Sequence, residues 1–243
     1  MSRIFLAGAT GVIGARLTPL LLAKTHIVWG ATRSPDKGEF LRKLGARPVV
    51  VDVFDAEALA AAVVEAKTEI VIHQLTDLSA LHDPTARSAA LVRNARIRDE
   101  GTRNLVAAAQ KAGARRLIAQ SIAWAYAPGP RPCDEDHPLD LKAEGDRLVS
   151  VLGVESLERQ VLEASPVEGL VLRYGRLYGP GVGTDAPPRP PSLHVDAAAY
   201  AALLAIDHGR AGTFNIADPN DDVSTDTNGR TAFEIGGRPP RAD

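Results

Sequence analysis

The chain has few of the residues that mark disulfide-rich, metal-clustered or membrane-embedded proteins. Cys133 is the only cysteine among 243 residues, which excludes an internal disulfide and a cysteine-based zinc cluster. No apolar run is long enough to cross a bilayer, and residues 1–10 lack the features of a secretory signal. The 28 basic and 30 acidic side chains nearly cancel, which removes the broad positive field of a nucleic-acid-binding protein. We therefore expect a cytoplasmic protein with a small-molecule substrate, and neither a membrane nor a nucleic acid as its partner.

Two further classes of chemistry find no support in the sequence. His137 and His194 are not spaced with carboxylates as metal ligands are, so no metal site is expected. The G-x-S-x-G pattern of an α/β-hydrolase nucleophile is absent.

Short apolar runs alternate with longer segments of helical character, which indicates parallel βαβ units. The predicted strands cover residues 3–8, 26–32, 47–53, 69–75, 115–121, 169–175 and 213–218. The longer predicted helices cover residues 11–24, 86–112, part of 141–164 and 196–209. We predict one α/β domain over residues 1–243, a Rossmann-type doubly wound parallel sheet with a reduced C-terminal substrate region. The substrate-side elements are expected within 122–145 and 176–220, followed by a loosely ordered tail, 221–243.

The strongest local signal is GATGVIG, residues 8–14, between the first strand and its helix. A phosphate must approach backbone N–H groups closely, which favours residues without a Cβ at the turn. Gly8 permits the turn, Gly11 leaves room for a pyrophosphate, and Gly14 lets the helix pack closely. The predicted contacts with a dinucleotide are Gly8, Thr10, Gly11, Val12, Ile13 and Gly14. The alternative is a βα turn that is rich in glycine and binds nothing.

The end of the second strand predicts which dinucleotide is bound. An acidic residue there would favour NAD, whereas an arginine accommodates the 2′-phosphate of NADP. This chain has Thr32, Arg33 and Ser34, and its first acid is Asp36. NADP is therefore predicted in preference to NAD, with Thr32, Arg33 and Ser34 as ligands. A solvated surface arginine is the alternative interpretation of Arg33.

These patterns resemble a known family. Besides GATGVIG, the matches are Asp52–Val53, the DEGTRNLVAAAQKAG run from Asp99, Ser121, Glu135, LRYGRLYGPG at 172–181 and HVDAAAYAALLAI from His194. Over about residues 3–220 the chain resembles the short-chain dehydrogenase/reductase superfamily, in its extended and atypical NAD-dependent epimerase/dehydratase branch.

The resemblance implies further cofactor contacts. It places Asp52 and Val53 against the adenine, and His73, Gln74 and Leu75 beside the cofactor ribose. It places the backbone of Tyr174 and Gly175 near the nicotinamide. A neutral, packed histidine is an equally acceptable interpretation of His73.

The family's catalytic set is incomplete in this chain. The resemblance implies a Ser, a Tyr and a Lys in Y-x-x-x-K, and an Asn. Ser121 matches the serine and Asp99 stands at the asparagine position, but no Y-x-x-x-K occurs. Ser150 and Val154 stand where the tyrosine and lysine belong, and neither can replace the lost acid. Two roles are open for Tyr126: the wall of a pocket, which is favoured, and a proton donor in place of the missing tyrosine. Asp99 either holds a water as the family's asparagine does, acts as a base, or only caps or bends its helix. The predicted catalytic residues are thus Ser121, Tyr126 and Asp99.

Two functions remain open. The first is an NADP-dependent oxidoreductase of the epimerase/dehydratase type, which transfers hydride to or from a small carbonyl or alcohol. The second is a catalytically inactive protein that binds NADP as a redox sensor or regulator. The arginines Arg93, Arg96, Arg98 and Arg103 are expected on a solvated helix face, where pairing into a homodimer is possible.

Overall fold

A computed structural model of the chain describes residues 1–77, 83 and 85–225. This part of the sequence forms nine strands and seven α-helices. They are β1 (Arg3–Ala7), β2 (Ile27–Thr32), β3 (Arg47–Val50), β4 (Ile70–His73), β5 (Arg116–Ile122), β6 (Glu168–Tyr174), β7 (Arg176–Tyr178), β8 (Ser192–His194) and β9 (Gly212–Ile216). The α-helices are α1 (Val12–Ala23), α2 (Pro35–Lys43), α3 (Ala56–Glu65), α4 (Arg87–Arg96), α5 (Thr102–Ala112), α6 (Gly145–Leu162) and α7 (Val195–Leu204).

Seven strands form one parallel sheet in the order β3-β2-β1-β4-β5-β6-β9. One apolar layer packs α1 and α7 against residues such as Ile4, Leu6 and Ile70 of the sheet. The other packs α3, α5 and α6 against Phe5 and Val71. Helices on both faces of a parallel sheet define the doubly wound class, so the predicted fold is confirmed.

The turn between β1 and α1 needs two of its glycines for steric reasons. Gly8 has a φ of +86°, and a Cβ there would lie 2.6 Å from the Gln74 carbonyl oxygen. A Cβ on Gly14 would overlap the Gly8 carbonyl oxygen. Gly8 therefore lets the turn pass close to the end of β4, and Gly14 lets α1 pack closely on the turn.

The helix predicted over 86–112 is interrupted by a π-helical turn. This turn spans Ile97–Gly101 between α4 and α5, and Gly113 ends the helix with a φ of +68°. A π-turn adds a residue to the helical repeat, so it changes which side chains face inward. Asp99 and Arg98 both lie on it.

The region predicted to bind substrate contains a small second sheet in which β7 and β8 pair in parallel. Residues 221–225, the start of the predicted loose tail, are instead anchored: Val223 is buried and Ser224 donates its N–H to the Cys133 carbonyl. The rest of that predicted tail, 226–243, lies outside the described residues. No helix in the described part of the chain is long and apolar enough to cross a membrane.

Candidate functional site

A cleft opens at the carboxyl ends of β1, β2 and β4, where the chain order of the sheet reverses. This is the position at which doubly wound sheets bind ligands. The cleft encloses about 280 Å³. Its lining residues are Ala7, Gly8, Thr10, Gly11, Ala31, Thr32, Arg33, Ser34, Lys37, Val51, Val53, Phe54, Leu59, Gln74, Leu75, Thr76 and Ile97. Nine of the predicted cofactor contacts therefore line the cleft: Gly8, Thr10, Gly11, Thr32, Arg33, Ser34, Val53, Gln74 and Leu75.

The floor of the cleft is the N-terminus of α1. Its first residue, Val12, follows Gly11, which caps the helix without any side-chain hydrogen bond. The first N–H groups of a helix have no partner inside the helix, so an anion fits there. Val12, Ile13 and Gly14 do not line the cleft, since Ile13 is buried in the core and Gly14 packs on the turn. Their predicted contacts with a dinucleotide remain predictions.

Two cations stand at the rim of the cleft. Arg33 and Lys37 both line it, and neither has an ion pair within the described residues. Thr32 and Ser34 complete this edge, where the Ser34 N–H donates to the Thr32 hydroxyl at 3.2 Å. Among the described residues no carboxylate lines the cleft. A guanidinium and an ammonium without a competing acid suit a phosphate.

The apolar wall contains a residue that the sequence analysis missed. Phe54 lines the cleft, and the guanidinium carbon of Arg96 lies 4.0 Å from the centre of its ring. Asp52, by contrast, is exposed and accepts the Phe54 N–H at 3.0 Å. Asp52 does not line the cleft but shapes the turn that presents Val53 and Phe54. The position of Phe54, directly after the predicted Asp52–Val53 pair, is the signal that was available.

Gln74 is an orphaned polar group at the inner end of the cleft. Its side chain is 5% exposed. The Tyr174 hydroxyl donates to the Ala198 carbonyl at 3.1 Å, and its oxygen lies beside the Gln74 amide nitrogen, from which it can accept a hydrogen bond. The amide oxygen is the atom left without a partner among the described residues. Because unpaired buried amides are costly, Gln74 is suited to a polar group of a bound ligand.

His73, Tyr174 and Gly175 are packed rather than open to the cleft. Nδ1 of His73 accepts the Leu75 N–H at 3.2 Å, so Nε2 carries the proton and donates to Thr102 Oγ1 at 3.1 Å. Burial lowers the pKa of His73 to about 4, so this ring is neutral at neutral pH. Tyr174 is buried, and a Cβ on Gly175 would lie 2.6 Å from the Ser192 carbonyl oxygen. Their predicted cofactor contacts remain predictions.

The hydroxyl of Ser121 is committed to a carboxylate. Ser121 is 1% exposed and donates to Oε1 of Glu158 on α6 at 2.6 Å. Glu158 is itself buried and bound through both oxygens by Arg173, at 2.9 and 2.7 Å. A serine whose proton is held this way can accept a hydrogen bond but has none left to donate.

Tyr126 belongs to the same network. Its hydroxyl donates to Asn215 Oδ1 at 2.6 Å and accepts from Nη1 of Arg173 at 2.9 Å. Burial raises the pKa of Tyr126 to about 12. The structure therefore gives this hydroxyl two protein partners, the arrangement expected of a wall residue rather than of a proton donor.

Asp99 lies apart from Ser121. Its carboxylate accepts from Ser156 at 2.7 Å and from Arg103 at 2.9 Å, and the Ser156 hydrogen bond is the main cause of its lowered pKa. Ser156 and Glu158 are two positions apart, or about 200° around α6. Asp99 and Ser121 therefore contact opposite faces of α6. Of the three predicted catalytic residues, Ser121 and Tyr126 share one network and Asp99 stands outside it.

An apolar cluster occupies the position predicted for the missing lysine. Val154 is 1% exposed and packs with Ile122, Ala125 and Val151. Ser150, at the tyrosine position, contributes its carbonyl oxygen to Arg98 rather than a hydroxyl to the cleft. The four-arginine run was predicted to be solvated, and for Arg98 this is wrong, because the π-turn directs it toward α6 and leaves it 6% exposed.

The fold and the cleft define a Rossmann protein of the short-chain dehydrogenase/reductase type. An NAD(P)H-binding family model matches residues 8–188, so the chain belongs to that family. It is 40% identical to the 3-diazoavenalumate denitrifying reductase of a Streptomyces species, over 98% of this chain and 83% of that protein. It is 29% identical to the dTDP-4-dehydrorhamnose reductase of Streptomyces griseus, over 74% of this chain and 51% of that protein.

Solved structures support the same fold. The Bordetella bronchiseptica enzyme WbmH, in complex with NAD⁺, superposes with a TM-score of 0.69 at 19% identity, over 92% of this chain and 77% of that one. The Thermotoga maritima UDP-glucose 4-epimerase gives a TM-score of 0.68 at 19% identity, over 90% and 77% of the two chains. The chain thus shares the fold of these enzymes and belongs to the NAD(P)H-binding family.

Proposed function

We propose that this chain is an NADP(H)-dependent reductase whose substrate accepts hydride without receiving a proton from the protein. The choice of coenzyme rests on Arg33 and Lys37. Within the described residues neither side chain has an ion pair, and no acidic residue lines the cleft beside them. The orphaned Gln74 amide and the free N-terminus of α1 fit the rest of a dinucleotide. Bound NADPH would supply the hydride.

The coenzyme preference is tested by fluorescence titration with NADPH and NADH. Arg33→Ala should weaken NADPH at least tenfold and leave NADH nearly unchanged, because one charge-assisted hydrogen bond contributes about 1.5–3 kcal/mol. Lys43→Ala, an exposed lysine of α2 outside the cleft lining, is the matched control. Equal affinities of the wild type for the two coenzymes would contradict the NADP assignment.

The kind of group that accepts the hydride follows from the lack of a side chain able to donate a proton. Hydride addition to a carbonyl leaves an alkoxide that must take up a proton, and a positioned acid accelerates that step. Here the Ser121 proton is held by Glu158 and the Tyr126 hydroxyl by Asn215. The lysine position is the buried Val154. An acceptor that needs no proton suits these residues better than a carbonyl does.

A diazo group meets this condition. The relative that is 40% identical is named for removing nitrogen from a diazo acid, and it aligns with 98% of this chain. For an aryl diazonium group the overall change is Ar–N₂⁺ + NADPH → Ar–H + N₂ + NADP⁺, which consumes no proton. We therefore propose an aromatic diazo acid as the substrate class.

The test follows 4-carboxybenzenediazonium with NADPH that carries deuterium at the transferable C4 position. We expect benzoate with deuterium at the former diazo carbon, N₂ release, and a rate well above that of an enzyme-free control. Oxidation of NADPH only with carbonyl compounds, slowed by Ser121→Ala, would favour the carbonyl reductase instead. Tight NADPH binding with neither reaction would favour the sensor.

A further inference from the structure

A second group of cations lies outside the coenzyme cleft, at the start of β7. The guanidinium of Arg176 lies over the Trp124 ring, with its central carbon 4.7 Å from the ring centre. Its Nη1 donates to the Pro190 carbonyl oxygen at 2.9 Å, and its remaining N–H groups have no hydrogen-bond partner among the described residues. No carboxylate in that part of the chain forms an ion pair with Arg176. Arg176 is only partly buried, so an anion can reach it from solvent.

Arg189 adds a second unpaired cation beside Arg176. It is exposed and directly precedes Pro190, whose carbonyl oxygen Arg176 binds. The backbone of the same segment is fixed to β7, because the Arg176 N–H donates to the Pro191 carbonyl at 2.8 Å. Arg189 has neither an ion pair nor a hydrogen bond among the described residues. Burial and the charge of Arg189 lower the pKa of Arg176 to about 10, so both cations are charged at neutral pH.

The acids near this group already have partners. Asp140 pairs with Arg147 at 2.7 Å, Asp222 pairs with Arg131 at 2.9 Å, and Asp218 accepts the Ser192 hydroxyl at 3.1 Å. We call Trp124, Arg176 and Arg189 the Trp124 site. As formed by the described residues, this site keeps an excess of positive charge, which a bound anion would neutralise.

The Trp124 site lies between the missing catalytic pair and the coenzyme helix. Trp124 packs against the apolar cluster that contains Val154, at the position of the missing lysine. At the other end of β7, Arg16 of α1 donates through Nη2 to the Pro180 carbonyl oxygen. Four residues of extended chain span at most about 14 Å, so the Cα atom of Arg176 lies within that distance of the Cα atom of Pro180. The site is therefore on the side of the sheet ends where a substrate would meet the coenzyme.

We propose that Arg176 and Arg189 bind the carboxylate of the aromatic acid substrate, with Trp124 holding the guanidinium of Arg176 in place. A guanidinium fixed against an aromatic ring keeps the planar N–H fork that binds a carboxylate through both of its oxygens. The proposal rests on the proposed function and deepens it, because it names the residues that select an acid. Arg176 acts in binding and takes no part in the transfer of hydride.

The test compares benzoate with benzamide, which has nearly the same shape and no charge. Affinities are measured by isothermal titration calorimetry with NADP⁺ present. We expect the wild type to prefer benzoate at least tenfold, and Arg176→Gln to weaken benzoate at least tenfold while leaving benzamide within about twofold. Arg176→Lys should weaken benzoate less, because it keeps the charge but not the planar fork. Arg159→Gln, at an exposed arginine of α6, is the matched control and should keep the wild-type affinities.

A second variant decides the matter if Arg176→Gln disturbs the loop after β7. Arg189 is exposed and has no partner among the described residues, so Arg189→Gln should keep the wild-type unfolding temperature. It should weaken benzoate about threefold, the effect expected of an exposed ion pair. Unchanged benzoate affinity in both variants would overturn the proposal. Equal losses of benzoate and benzamide in Arg176→Gln would show that Arg176 only supports the loop, and would overturn it as well.

The reaction gives an independent measurement. Arg176→Gln should raise KM for 4-carboxybenzenediazonium at least tenfold and leave KM for benzenediazonium and both kcat values nearly unchanged. At least tenfold weaker NADPH with unchanged benzoate would assign the cation to a coenzyme phosphate and overturn the proposal. Failure of the wild type to reduce either diazonium ion, with benzoate still dependent on Arg176, would refute the proposed function alone.

A last variant tests whether an acid of the chain itself is the anion. The acids of residues 226–243 are Asp226, Glu234 and Asp243, and the combined variant Asp226→Asn, Glu234→Gln, Asp243→Asn removes all three charges. We expect this variant to keep the wild-type unfolding temperature and benzoate affinity. A loss of stability that disappears when Arg176→Gln is added would show that one of these acids pairs with Arg176, and would overturn the proposal.

Discussion

Replacing Glu158 by glutamine should destabilise the protein strongly while changing its volume little. Glu158 is 4% exposed and carries the single negative charge of a cluster that also contains Arg173 and Arg98. In Glu158→Gln both guanidinium groups lose that charge. Breaking a buried ion pair by removing one partner costs about 3–5 kcal/mol, which for a chain of this size is about 6–20 °C in unfolding temperature.

The measurement is urea denaturation followed by circular dichroism, with Glu155→Gln as the matched control. Glu155 pairs with Arg159 on the exposed face of the same helix, so its loss should cost no more than about 1 kcal/mol. A cost for Glu158→Gln that is no larger than the control's would refute the buried-network interpretation.

A double-mutant cycle with Arg98→Met sharpens this prediction. In the Glu158→Gln background Arg98 is a second uncompensated cation, so its removal should recover part of the lost stability. We expect a coupling of at least about 1 kcal/mol between the two sites. Strict additivity would show that Glu158 and Arg98 do not interact.

Other predictions test single features of the fold and cleft. The folded pKa of His73 is about 4 against 6.5 unfolded, so His73 contributes stability above pH 6.5 that is lost as the pH falls toward 4; His73→Gln should remove about 3 kcal/mol of this pH dependence in urea titrations. Tyr126→Phe should cost about 1–3 kcal/mol in the same assay and leave NADPH affinity within about twofold. Gly14→Ala should abolish NADPH binding in fluorescence titrations, because its Cβ overlaps the Gly8 carbonyl. Gln74→Leu should leave the apoprotein as stable as the wild type and weaken NADPH about tenfold.

The sequence predicted the features that depend on local patterns. The glycine turn could be predicted because a side chain at Gly8 or Gly14 would overlap nearby backbone atoms. The place of Arg33 on the cleft could be predicted because the end of β2 borders the cleft in this sheet order. Short apolar runs between helical segments predicted the strands of the main sheet, because the central strands of a parallel sheet are buried on both faces.

The partners of polar side chains could not be predicted in this way. Ser121 meets Glu158 across 37 positions, and Tyr126 meets Asn215 across 89. The burial of Arg98 depends on the π-turn, since one additional residue rotates the next helical segment by about 100°. No propensity in the run around Arg98 signals that turn, so the sequence pattern predicts one solvated face for all four arginines.

The hydrogen bonds of the polar side chains decide which of them can donate a proton to a substrate. A reductase that protonates its product needs a hydroxyl with a free proton and a cation that makes the proton acidic. Ser121 donates its proton in a hydrogen bond to Glu158, and the cation Arg98 hydrogen-bonds the Ser150 carbonyl oxygen rather than standing beside a tyrosine. A fixed positive charge without a mobile proton can hold an anion but cannot protonate an alkoxide. The proposed reduction of a diazo group needs no such proton, because hydride is transferred to the carbon from which N₂ departs.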